Sequence, residues 1–456
     1  MSMFKWDVVD PAPGEAVAPH QRLSWGKTAG LGAQHVVAMF GATFVFPLVM
    51  GLDPNLAIMF SGICTILFLL ICNNKVPSYL GTSASFVAGV AAIRAQGGDS
   101  ADVTGAIMVS GIVLLLVGVL IHFLGAGMIH KILPPAVTGA VVMLIGFNLA
   151  PVVATIYWPQ DQWVALLTAA FMVVAACLFP GFWSRIAVFL ALIFGYLLSW
   201  LFDNVFGQIT SVLPGSPDAV AHDRVSWSGV SAADWIGFPS GDLADGVSVV
   251  HGPSFSLTFI LLVLPGVIAL IAENTGHVKA VSEMTGQDLD PYMGRAIGAD
   301  GFATALASAF GGSPTTTYAE NIGVMGATKV YSTAAYYVAA AVAILLGLCP
   351  KFGAIVSATP GGVLGGITVV LYGMIGLIGA KIWVENGVDF GDPVNLVGLA
   401  GGIIAGIGGV TLEITDDFEL SGIALGTILV IVFYHLVDRG RGRGQHRGAD
   451  EVTKAL

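Results

Sequence analysis

Polar segments divide the chain into apolar runs, most of them of roughly 17 to 25 residues and long enough to cross a bilayer as a helix. Candidate spans fall at 29–51, 56–72, 79–93, 105–126, 132–153, 163–179, 186–202, 256–275, 297–311, 317–328, 332–349, 355–380, 394–410 and 420–437. The third and tenth are short and polar, reading P-S-Y-L-G-T-S-A-S-F (Pro77 to Phe86) and S-P-T-T-T-Y-A-E-N (Ser313 to Asn321). Both are rich in hydroxyls and interrupted by Gly or Pro. Such paired interruptions point to a binding site near the membrane midplane. The pattern predicts an all-α polytopic membrane protein with 14 transmembrane spans.

Charge tests that count. With the N-terminus cytoplasmic, fifteen of the eighteen Lys and Arg residues fall on the inner face, leaving Arg94, Arg224 and Lys351 outside. Both termini are then cytoplasmic. A long acidic loop, 203–255, splits the spans seven and seven. An odd number per half makes the second half start on the opposite face, so halves of one fold would be inverted repeats. The expected organisation is a cytoplasmic segment 1–28, a first repeat 29–202, the extracytoplasmic loop, a second repeat 256–437 and a basic tail 438–456.

Composition narrows the class. With 55% hydrophobic residues, 10% charged and 60 glycines, the chain is not an ordinary soluble protein. Glycine at this level lets membrane helices approach closely and lets the backbone break beside a cavity. The net charge of -11 argues against a nucleic-acid partner. Cys64, Cys72, Cys177 and Cys349 lack metal spacing and read as free. Residues 1–28 show no apolar core of a cleavable signal, and Asp416, Asp417 and Glu419 read as a solvated outer loop. No G-x-x-x-x-G-K-[ST], H-E-x-x-H or G-x-S-x-G is present, so neither an enzyme, a metal, a cofactor nor ATP is expected.

Glu320 and Glu273 carry the sharpest signal. A carboxylate at membrane depth costs about 2.5 kcal/mol or more, and is kept where it faces a cavity, a partner or a ligand. No basic residue lies within a helical turn of Glu320, and Thr317 and Asn321 offer it hydrogen bonds. Glu273 and His277 stand four apart on one helix face, where carboxylate and imidazole can share a proton. A packing role for His277 stays open. Gln34 and His35, in the first span, are adjacent, so at most one faces a pocket. Tyr318 reads as a ring over a planar ligand or as a packing anchor, and Phe86 and Tyr79 more often as core.

The run E-N-I-G-V-M-G-A-T-K (Glu320 to Lys329) resembles the signature of the nucleobase/ascorbate transporter family, or nucleobase:cation symporter family 2. Q-H-V-V-A-M-F-G-A-T (Gln34 to Thr43), V-P-S-Y-L-G-T-S (Val76 to Ser83) and A-E-N-T-G-H-V-K-A-V (Ala272 to Val281) support the likeness, which is nearest to bacterial uracil permeases. The resemblance implies two inverted seven-span repeats forming a core domain (spans 1–4 and 8–11) and a gate domain (5–7 and 12–14). Short extended segments of spans 3 and 10 would meet at the substrate. It implies proton-coupled import of uracil, or thymine, across a bacterial inner membrane by a homodimer. Purine (xanthine or urate) transport and a non-accumulating nucleobase channel or sensor are the rival readings. Glu273 and Glu320 would bind the base, Tyr318 and Ala319 would give backbone contacts, Tyr372 would line the gate side, and His277 with Glu273 would couple protons. Gln34, His35, Asn321 and Thr317 would support them. Ala84 stands where uracil permeases often have an aromatic residue, which leaves room for a 5-methyl group; Ser85 and Phe86 follow, one of them a further contact to the base.

Overall fold

The computed structural model describes residues 4–12, 15–125, 133–213, 218–415 and 418–455. Lys131, Asp416 and Asp417 lie outside these, as do the side chains of Arg185, Glu419 and the basic tail beyond Arg439. Among the described residues, eight helices are long and apolar enough to cross a membrane. A ninth is formed if the bent pair Thr333–Gly347 and Pro350–Ser357, which meet at 81°, counts as one span. Shorter apolar helices cover Ala84–Ala95, Gln162–Leu178 and Pro393–Ile407.

Sequence explains where these helices begin and end. Asp53 caps the helix Pro54–Ile71 through the Leu56 N–H, and Asp99 with Asp102 forms a capping box at Ser100–Leu124. The expected span 355–380 starts later, at Gly361, because the chain first turns through Pro350–Ser357 and then meets Pro360. The helices expected at 79–93 and 317–328 each open with a three-residue strand, Leu80–Thr82 and Thr315–Thr317.

Glycine sets the closest helix crossings. Ser100–Leu124 lies against Met293–Ser308 with Gly111 and Gly118 facing Gly301 and Gly298; a Cβ on Gly118 would overlap the Gly298 backbone. Between Pro135–Phe147 and Gly361–Glu385, Gly146 meets Gly376 in the same way. Backbone-to-backbone approach replaces the hydrophobic drive that lipid cannot supply.

The loop after Phe206 is folded. It holds a hairpin, Ile209–Val212 with Ala219–His222, and is pinned by the three cations that the charge pattern leaves outside. Arg224 pairs with Asp161 at 2.6 Å and Asp203 at 3.0 Å. Lys351 lies over the Trp235 ring at 5.2 Å, and Arg94 pairs with Asp245 at 2.6 Å. Partial burial alone would raise the Asp245 carboxyl, but hydrogen bonds from Ser100 and Arg94 prevail and hold it down at about 2. That anchor is therefore complete above the ordinary carboxylate range and is lost as pH falls through about 2.

Exchanging a helix glycine for leucine should gain about 1 kcal/mol of helix propensity where nothing is in the way. At Gly118, overpacking should instead cost about 3 kcal/mol, so Gly118→Leu is expected to lower the melting temperature of the purified protein. Gly26→Leu, with open space around Gly26, is expected to leave it unchanged or raise it; equal behaviour of the two variants would refute the backbone crossing.

Candidate functional site

Leu80–Thr82 and Thr315–Thr317 pair antiparallel, Leu80 opposite Thr317, Gly81 opposite Thr316 and Thr82 opposite Thr315. All six residues are buried. The ladder continues through Tyr318 N–H to Tyr79 O (3.0 Å) and Ser83 N–H to Pro314 O (2.9 Å). Pro77 and Pro314 keep the approaching chain extended, and the β-branched threonines favour strand. Neighbouring helices hold both strands: Thr65 Oγ1 accepts from Leu80 N–H at 2.9 Å, and Thr304 Oγ1 from Thr315 N–H at 3.1 Å.

Tyr318 locks the crossing. Its hydroxyl donates to Thr82 O at 2.8 Å and accepts from Thr43 Oγ1 at 3.2 Å. Its ring lies so close to Gly81 that a Cβ there would sit 2.5 Å from it. Of the two readings for this ring, the geometry matches the packing anchor.

Each strand runs directly into a helix N-terminus, the 3-10 turn Ala84–Phe86 leading into Val87–Ala95 on one side and Ala319–Thr328 on the other. Unpaired N–H groups and the positive ends of both helix dipoles therefore point back at the crossing. Glu320 is the second residue of Ala319–Thr328, in the turn where negative charge is favoured. Ala319 is exposed and Glu320 partly so.

Glu273 faces the same region from the helix Pro265–Thr285. It is partly exposed and within electrostatic reach of both Glu320 and Asp300. The Thr316 hydroxyl turns toward Glu273 and Asp300 without completing a hydrogen bond to either. Among the described residues none of these three carboxylates forms an ion pair.

His277 starts a directed chain. The single hydroxyl proton of Thr317 goes to Asn274 Oδ1 at 3.1 Å, so the 2.7 Å contact between His277 Nδ1 and Thr317 Oγ1 requires the proton on Nδ1. The neutral ring then keeps a lone pair at Nε2. Asn274 Nδ2 continues the chain to Asp300 Oδ2 at 2.6 Å and also donates to Leu270 O at 3.0 Å. Nδ1 is thus committed to Thr317, and the link to Glu273 suggested by the i, i+4 spacing is not made through that nitrogen.

Other expected residues separate clearly. Asn321 Nδ2 donates to His35 O at 2.9 Å and lies 3.2 Å from His35 Nδ1, while the His35 ring lies 4.4 Å from that of Tyr336. Of the adjacent pair, His35 is the one bound to the site helix; Gln34 is half-buried. Ala84 is partly exposed, whereas Phe86 is fully buried beside Gly266. Tyr372 borders a cavity of about 470 Å³ with Phe147, Val153 and Trp158, whose lining includes none of the carboxylates. Its hydroxyl is buried without a partner.

Asp300 was not singled out from sequence. The signal was there, a carboxylate in the apolar run A-I-G-A-D-G-F-A-T-A (Ala296 to Ala305), the same criterion that marked Glu273. It is fully buried, and its Oδ1 has no partner.

The sequence profile of the permease family matches residues 26–415. The chain is 41% identical over 430 residues to the putative pyrimidine permease RutG of Escherichia coli strain K12, covering 93% of this chain and 92% of that one. It is 35% identical over 428 residues to the uracil permease of Bacillus caldolyticus, covering 91% and 93%. Among solved structures, SLC26A9 superposes with a TM-score of 0.61 at 14% identity, over 90% of this chain and 65% of that one. The transmembrane domain of the cyanobacterial bicarbonate transporter BicA gives 0.53 at 13% identity, over 93% and 98%. At these identities the structural likeness speaks for the fold alone.

Gly81→Ala must push either the Tyr318 ring or Thr43 aside. Faster amide exchange at Thr315–Tyr318 and a lower melting temperature are expected; wild-type exchange there would show that the ring is not wedged against Gly81.

Proposed function

The chain belongs to this permease family, the nucleobase/ascorbate transporters, and from that premise we propose that it imports uracil together with a proton. Thymine is the second candidate substrate. The observation that carries this reading is two carboxylates, Glu273 and Glu320, within electrostatic reach of each other beside two helix N-termini, neither forming an ion pair among the described residues. Uracil offers the complement. Its ring N–H groups donate to the carboxylates, and a ring carbonyl accepts from the backbone N–H of Ala319; the Tyr318 N–H is already given to Tyr79 O. Two glutamates without a counter-charge repel an inorganic anion, which separates this site from those of anion carriers with the same architecture. Ala84, small and partly exposed, forms the wall next to the base and leaves space for a methyl group.

In this reading His277 takes up the travelling proton at Nε2, with Thr317, Asn274 and Asp300 behind it. Glu273 shares that proton when the base is bound. The fourteen spans form two inverted repeats, and core and gate domains rock against each other to expose the cleft alternately to either face. Tyr372 belongs to the gate wall, and both termini are cytoplasmic in a homodimer of the inner membrane. Substrate crosses unchanged, so the function calls for no catalysis and no cofactor.

Losing a hydrogen bond to a charged partner costs about 1.5–3 kcal/mol, roughly 10- to 100-fold in affinity. Uptake of radiolabelled uracil into proteoliposomes is therefore expected to collapse in Glu273→Gln and in Glu320→Gln, and normal uptake in both would remove the site assignment. His277→Ala should retain uracil binding but flatten the dependence of uptake on an imposed pH gradient. Stronger competition by xanthine than by thymine would favour a purine permease, and binding without accumulation would favour a channel or sensor.

A further inference from the structure

By composition, residues 4–24 read as a polar lead-in to the first long helix. The described stretches 4–12 and 15–24 form a folded arm instead. Asp7–Val8 pairs in parallel with Gln21–Arg22, and the fully buried Val17 makes a parallel bridge to Val330. Through this bridge Val17 N–H donates to Lys329 O at 2.9 Å, and Val17 O accepts from Tyr331 N–H at 2.8 Å. Pro19 O accepts from Thr333 twice, from N–H at 3.1 Å and from Oγ1 at 2.9 Å. Trp6 Nε1 donates to the same Thr333 hydroxyl at 2.9 Å. Phe4 and Trp6 set their rings edge-on to Tyr337, with centroids 5.5 and 5.6 Å away.

These hydrogen bonds all land between Lys329 and Thr333, the turn that immediately follows the helix carrying Glu320. That helix has ten residues, about 15 Å of length. Its upstream end is fixed by the crossing strands, leaving its downstream end as the free variable. There Lys329 adopts a left-handed conformation, φ 56°, which a non-glycine residue keeps only when its surroundings hold it. The bond from Val17 N–H to the Lys329 carbonyl is such a restraint.

We infer that the arm formed by residues 4–12 and 15–24 is a positioning element of the ligand site: by fixing the far end of Ala319–Thr328 it sets the direction of Glu320. This rests on the assignment of Glu320 to uracil binding. Binding groups work when held to within about 0.5 Å, and a short helix anchored at one end only is free to tilt. None of the arm residues is proposed to touch the base.

The test uses the full chain in lipid, with Trp6→Phe, which removes one indole N–H, Val17→Pro, which removes the donor to Lys329, and Thr333→Val. Hydrogen exchange reads the helix, and uracil uptake reads the site. Peptides covering residues 319–333 are expected to exchange about tenfold faster in the variants, while Ser100–Leu124 is unchanged. The KM for uracil is expected to rise about three- to tenfold with little change in maximal rate. Thr333→Ser, which keeps the hydroxyl, should restore both. Unchanged exchange would overturn the inference, as would faster exchange with an unchanged KM, which would make the arm a mere clasp. Should Val17→Pro fail to fold, the two milder variants decide. If the wild-type chain takes up no uracil, the ligand assignment fails, while faster exchange across 319–333 still supports the arm's hold on the helix.

Discussion

Every part of this site depends on one hydrogen-bonded contact, the antiparallel pairing of Leu80–Thr82 with Thr315–Thr317. Lipid can satisfy neither an N–H nor a C=O, and each orphan at membrane depth costs several kcal/mol. A chain that leaves the helical conformation inside a bilayer must therefore find another backbone. Here two such departures satisfy each other, and each releases a helix start into the interior. The polar threonines and the tyrosine hydroxyl then complete the enclosure, with bonds to Thr43, Thr65 and Thr304 from three surrounding helices.

Once the crossing is closed, its electrostatics follow. Two positive helix ends stabilise negative charge near them, and among the described residues the carboxylates placed there form no ion pair. The imidazole, hydroxyl, amide and carboxylate of His277, Thr317, Asn274 and Asp300 run in one donor direction, which leaves the outward nitrogen of the ring as the acceptor. An isolated buried charge is expensive, so a group in this position is kept for work that a hydrophobic residue cannot do.

Much of this was legible in the sequence, and the misses have physical causes. Helix positions followed from apolar run length because lipid imposes a minimum length on any span. The interruptions at Pro77 and Pro314 were visible because proline and threonine runs fit poorly in a membrane helix. Direction was not. Tyr318 follows a strand, and whether its ring meets a ligand or Gly81 depends on a partner strand more than two hundred positions away in the chain. Phe86 and Ala84 stand two apart in one turn, yet only the smaller lies open, because the phenyl ring fills the gap beside Gly266. Asp300 carries the same signal as Glu273, but no motif frames it. The arm formed by residues 4–12 and 15–24 left no periodicity to read, since two-residue strands give none.

The glycine crossing of Ser100–Leu124 on Met293–Ser308 has a mechanical corollary. Helices separated by side chains can slide past each other as rotamers exchange, like gears changing teeth. Where Gly118 meets Gly298, main chain abuts main chain and there are no teeth to change. The second helix also carries Thr304, which grips the strand Thr315–Thr317. Any displacement must therefore carry that helix pair and the strand together as one stiff block, and its flexing must fall at seams elsewhere.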